Sequence, residues 1–142
     1  MNLYEAIKNW IQQYEPISSD WIYFNVVNYE AGFVSLNSVT TSKVVSKDVL
    51  GNRTIDLLVA VAMIKEYDNG TSNNNLDAIQ EVDNFASWVE NQVEYPDFGA
   101  GKTVEKIEIS DNGYTPAIDA DNNLAKYEFT IRFRYKEESE GI

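Results

Sequence analysis

Gly99-Ala100-Gly101-Lys102-Thr103 ends like a phosphate-binding loop, in which backbone amides cradle phosphate and a lysine reaches the outer oxygens. That chemistry needs a further glycine five residues before Gly101, and Pro96 stands there. It also needs the loop to open a helix whose first amides hold the anion, whereas the residues from Thr103 on predict a strand. Asp97-Phe98-Gly99 matches a kinase triplet with none of the accompanying kinase motifs, and reads as a turn. Asp119-Ala120-Asp121-Asn122-Asn123 places oxygen ligands at alternate positions, as calcium loops begin. Position six should then be glycine and is Leu124, and position twelve should be glutamate and is Thr130, so a solvated loop is the better reading. Glu105, Glu108 and Glu128 could in principle form an acid/base pair. With 23 acidic residues against 11 basic ones, most carboxylates are expected to be solvated surface.

The chain holds no histidine and no cysteine, which excludes His-based triads, thiolate nucleophiles, disulfides and Cys- or His-built metal sites. No catalytic residue, cofactor or metal is expected. A net charge of −12 disfavours nucleic acid as a bound ligand, because affinity for phosphate comes largely from lysine and arginine. It leaves open a surface past which DNA slides without adhering. An anionic membrane surface is disfavoured for the same reason, and no stretch approaches the ~20 apolar residues of a membrane span. The first residues lack the basic start and apolar run of a signal peptide, so a reducing cytoplasm is the expectation and the sequons at Asn52 and Asn69 are chance.

What must position these residues is legible in the spacing of apolar side chains. Tyr127, Phe129, Ile131, Phe133 and Tyr135 alternate with Glu128, Thr130, Arg132, Arg134 and Lys136, which predicts a strand with one buried face over 127–136. That face needs an apolar partner layer. Leu3, Ile7, Trp10, Ile11 and Tyr14 predict an amphipathic helix over 2–14, capped by Asn2 and ended before Pro16. A second helix is expected from Leu76 to about Gln92, with Asn74 or Asn75 as cap and an inner stripe of Leu76, Ile79, Val82, Phe85, Ala86 and Val89. Residues 21–29 and 33–39 predict strands paired as a hairpin about Glu30-Ala31-Gly32. Residues 44–50 and 54–65 predict a second hairpin about Gly51-Asn52. In its return strand Ile55, Leu57, Val59, Val61 and Met63 share one face and Leu58, Ala60, Ala62 and Ile64 the other, which places it centrally. The small Ala60 and Ala62 would admit a helix. Residues 95–102 predict a rigid connection, 103–110 a strand carrying Val104, Ile107 and Ile109, and 111–123 a loop. At 142 residues one domain, 1–142, is expected, with 137–142 as a loose tail. The order α-β-β-β-β-α-β-β implies an α+β fold, a twisted and mainly antiparallel sheet with two helices on one face.

The stretches DWIYFNVVNYEAGFVSLNSV (20–39), AVAMIKEY (60–67), YPDFGAGKTVEKIEI (95–109) and LAKYEFTIRFRY (124–135), in this order between two helices, resemble a family of bacteriophage minor capsid proteins. That family is similar to the tail-terminator and tail-completion proteins of long-tailed phages. The resemblance implies a structural protein without catalytic residues. Its subunits would form a ring, a hexamer by resemblance, that caps the tail tube and joins it to the head through head-completion proteins. It would be found in the virion, and in the host cytoplasm during assembly. DNA would pass through such a ring without specific binding, its acidic groups facing the channel. The β-rich apolar residues Val44, Val45, Val49 and Leu50 have no assigned burial and are the candidate assembly interface. The alternative is a ligand- or protein-binding module using the concave face of the sheet, with a small host-directed enzyme as third reading.

Overall fold

The computed structural model describes residues 2–17, 22–25, 30–32, 34–39, 43–68, 74–110 and 115–139. The elements are α1 (Leu3–Ile11), β1 (Ile22–Phe24), β2 (Val34–Ser38), β3 (Lys43–Lys47), β4 (Arg53–Glu66), α2 (Asn74–Glu90), β5 (Lys102–Ile109), β6 (Thr115–Asp119) and β7 (Leu124–Glu137), with single 3-10 turns at Glu15–Ile17 and Ala120–Asn122. The strands form one sheet in the order β1-β2-β4-β7-β5, with β3 beside the start of β4 and β6 beside the start of β7. All pairings but β1–β2 are antiparallel, so the fold is α+β with a mainly antiparallel sheet.

Everything is organised on β4 and β7, which pair without interruption from Arg53↔Glu137 to Glu66↔Leu124. Alternation gives each strand two faces, and the aromatic face of β7 is buried from Tyr127 to Tyr135 as its spacing predicts. Ile55, Leu57, Val59, Val61 and Met63 of β4 join the same core, together with Ala6, Ile7, Trp10 and Ile11 of α1 and Ala78, Val82, Phe85 and Val89 of α2. Both helices therefore lie on one face of the sheet. Asn2 caps α1, its side-chain oxygen accepting from the Tyr4 amide at 2.7 Å. The Trp10 ring packs against Trp88 and edge-on against Phe133, while its indole N–H donates to the Glu94 carbonyl at 2.8 Å. In β5 a bulge between Val104 and Lys106 lets Val104 and Ile107, three residues apart, enter the same core.

Several expectations are corrected. The first two strands run parallel, not as a hairpin: Ile22 pairs with Val34 and Phe24 with Leu36. Asn25 turns the chain out of β1 at φ 51°, and Gly32 returns it with its amide bonded to the Ile64 carbonyl. Trp21, residues 26–29 and Phe33 of that expected hairpin lie outside the described residues. Residues 49 and 50 belong to a turn and not to an extended strand. The expected loop over 111–123 contains β6, an exposed edge strand that tolerates Pro116; residues 111–114 lie outside the described residues. Leu76 and Ile79 are exposed, because α2 is rotated to bring Ala78 to the sheet. Asn75 does not cap α2; it lies in the first turn and ties back to the Asp68 backbone through both its amide groups. Ala60 and Ala62 are buried on the face away from the helices, in register with Asn37 and Thr130, and with Ser35 and Glu128. The tail does not begin at residue 137: Glu137 ends β7, the Glu138 amide donates to Gly101, and the Ser139 amide donates to Asn52. Residues 140–142, like the polar segment 69–73, are outside the described residues.

Candidate assembly surface

The residues that fail to find burial define the surface. From Arg53 to Asp56, β4 is flanked by β3, and all five residues of β3 are exposed. β3 pairs with β4 along one edge, and among the described residues no strand lies along its other edge. A bulge between Val44 and Ser46 leaves Val45 with no residue opposite, and both valines stay half-exposed. At the tip Val49 is 101% exposed and Leu50 75% exposed. The structure thus brings together Val44, Val45, Val49 and Leu50 on one hairpin.

The hairpin is held open to solvent by its own turn. Asp48 accepts from the amides of Leu50 and Asn52 at 2.9 Å each and from the Asn52 side chain at 3.0 Å. Its own amide donates to the Asn52 carbonyl at 2.9 Å, and the Gly51 amide returns to the Asp48 carbonyl. Gly51 sits at φ +91°, a conformation side chains resist. Desolvation pushes the Asp48 carboxyl up, but the Asn52 side chain, the two amides and the charge of Lys136 outweigh it and hold it below the ordinary carboxylate range. A turn bonded this way presents Val49 and Leu50 in a fixed place. Sequence reasoning located the turn by Gly51-Asn52 and missed Asp48, whose signal was an aspartate four residues before an asparagine.

Beside the buried Ala60, Ala62 and Ile64, the sheet face away from the helices carries paired polar side chains. The Arg134 guanidinium donates to both Asp56 oxygens at 2.8 and 2.9 Å. Arg132 reaches Glu108, which also meets Lys106 at 3.3 Å. Glu128 accepts from Asn37 at 3.4 Å. The hydrogen bonds from Arg134 hold the Asp56 carboxyl below its ordinary range; desolvation opposes this, and the charges of Arg134, Arg132 and Lys43 add to it. Glu105, Glu108 and Glu128 do not converge as an acid/base pair: Glu108 and Glu128 are engaged by these partners and Glu105 sits exposed at the β5 bulge.

The remaining motifs resolve into turns. Gly99 and Gly101 take positive φ, and the Gly99 amide donates to the Asp97 side chain at 2.9 Å. Lys102 then opens β5, so no helix follows to hold a phosphate. Asp119 accepts from the amide and side chain of Asn122, and Asn123 adopts φ 55° to close the β6–β7 hairpin. A groove of about 670 Å³ lies beside β6 between Glu30, Ala31, Ile64, Ile118 and Lys126. It is open, and its Asp119 and Asn122 are bonded to each other. Among the described residues no helix is long and apolar enough to cross a membrane.

Compared with protein-family models and with curated proteins, the chain matches none of them.

Proposed function

We propose that this chain is a structural virion protein of the tail-terminator kind, a subunit that joins copies of itself into a ring at the head–tail junction of a long-tailed bacteriophage. The observation that carries the reading is the β3–β4 hairpin, with Val49 and Leu50 in solvent on a hydrogen-bonded turn and Val44 and Val45 half-exposed on β3. A free chain gains nothing from such exposure, whereas an assembled one buries it. The mainly antiparallel sheet with two helices on one face agrees with the fold that the resemblance of 20–39, 60–67, 95–109 and 124–135 implies. A net charge of −12 suits a ring through which DNA passes without adhering. The partners in this reading are further copies of the chain, the end of the tail tube and head-completion proteins, first in the host cytoplasm and then in the virion. The chemistry is assembly and not catalysis.

The test is deletion of the gene from the phage that encodes it, with tails imaged by electron microscopy. Tails of uncontrolled length, or finished tails that fail to join heads, are expected, with normal particles restored when the chain is supplied separately. Normal particles from the deletion would overturn the reading.

A further inference from the structure

The hairpin has a complement on the same molecule, at the opposite end of the sheet. α2 begins beside the end of β4, where Asn75 is bonded to Asp68 and Lys65 pairs with Glu81. On its outward side Leu76 is 65% exposed and Ile79 is exposed beside it. The helix carries Asp77, Glu81, Asp83 and Glu90 and not one lysine or arginine. The hairpin carries the opposite combination: Val44, Val45, Val49 and Leu50, flanked by Lys43 and Lys47. Of its acids, Asp48 is occupied in holding the turn and Asp56 is held by Arg134.

β4 separates the two patches. Its 14 residues, at about 3.3 Å each, place them roughly 40–45 Å apart, so one molecule cannot bring its own hairpin to its own α2. A two-fold contact of hairpin on hairpin sets lysines against lysines, and one of helix on helix sets carboxylates against carboxylates. Like charges in apposition disfavour both. Opposite charges and apolar groups meet when the hairpin of one copy reaches α2 of another. Strand addition along β3 is the weaker geometry, since a bulge and two lysines blunt that edge.

We infer that copies of this chain associate head to tail, the β3–β4 hairpin tip of one seated on the N-terminal half of α2 of the next, Val49 and Leu50 against Leu76 and Ile79, with Lys47 facing Asp77. This rests on the reading of the hairpin as an assembly surface and names its partner. Made head to tail, such a contact is heterologous and closes into a ring or runs on into a filament, whereas a reciprocal pair about a two-fold axis would stop at a dimer.

The absence of cysteine from the chain makes the test clean. V49C and L76C are made separately in the intact chain, both at exposed sites, then mixed at high concentration and oxidised with copper–phenanthroline. The expected result is a V49C–L76C heterodimer in about tenfold excess over either homodimer, and a ladder of higher species from the double variant. Reciprocal charge reversal supplies a second readout. K47E and D77K should each reduce cross-linking, and the two together should restore it. Homodimers of V49C in excess would overturn the contact with α2 while leaving the hairpin as the assembly surface. Cross-linking of neither position, in concentrated protein or in assembled particles, would overturn both.

Discussion

Valines decide two opposite fates along one hairpin. Val59 and Val61 of β4 have no accessible surface, because Ile131 and Phe129 of β7 lie beside them and the two helices close over them. Val44, Val45 and Val49, a few residues earlier, are in solvent although their side chains are the same. Residue type therefore does not settle burial; the presence of a facing layer does. Where that layer stops, apolar groups remain in solvent, and the proposed assembly would cover them.

The comparison can be broken by truncating one side of it and charging the other. Phe133→Ala should cost about 3–5 kcal/mol of folding stability, the range for a buried phenylalanine that loses its packing, here against Trp10 and Phe98. Val49→Asp should move stability by less than about 0.5 kcal/mol, as a solvent-facing change. Equal shifts in denaturant midpoint would show that the hairpin is part of the core. Gly51→Ala tests how firmly the tip is held. It forces a side chain into a left-handed conformation, at about 1–2 kcal/mol, and sets its methyl group 3.2 Å from Ser139 Oγ. The same midpoint measurement checks it, and no loss would mean that the turn is loose.

Smaller effects are expected on the polar face. Arg132→Ala removes a half-exposed partner of Glu108 and should cost less than about 1 kcal/mol by the same midpoint. Asp56 is held below its ordinary range by Arg134, so its contribution is complete above about pH 4 and is lost as pH falls through the lower folded value. Thermal midpoints of Asp56→Asn should therefore vary less with pH in the acid range than those of the unaltered chain. A parallel acid profile for the two would place the acid-labile contribution elsewhere.

The core was legible in the sequence because its signal is local. Five aromatic or branched residues at strict alternation in 127–135 admit one strand and one buried face, and the two-faced apolar run over 57–64 places its strand centrally. What escaped depends on contacts distant in sequence. β1 and β2 run parallel, and the chain between them is tied at Gly32 to Ile64, more than thirty residues away. β6 offers one exposed isoleucine and a proline, too little pattern to separate an edge strand from a loop. In α2 the periodicity counted Leu76 and Ile79 inward, yet Ala78 faces the sheet, since a small side chain lets the helix start close to it. The hairpin half of the candidate surface was visible as apolar residues with no assigned burial. The α2 half was hidden by the same hydrophobicity that made the stripe look complete.

The central claim is that the hairpin serves assembly and not folding. The most direct measurement pairs the denaturant midpoint of Val44→Asp/Val49→Asp with tail length and head joining in the phage that carries it. The account predicts a midpoint within about 1 kcal/mol of the unaltered chain, together with tails of uncontrolled length or tails that join no heads. Normal tails of normal length from that variant would contradict it.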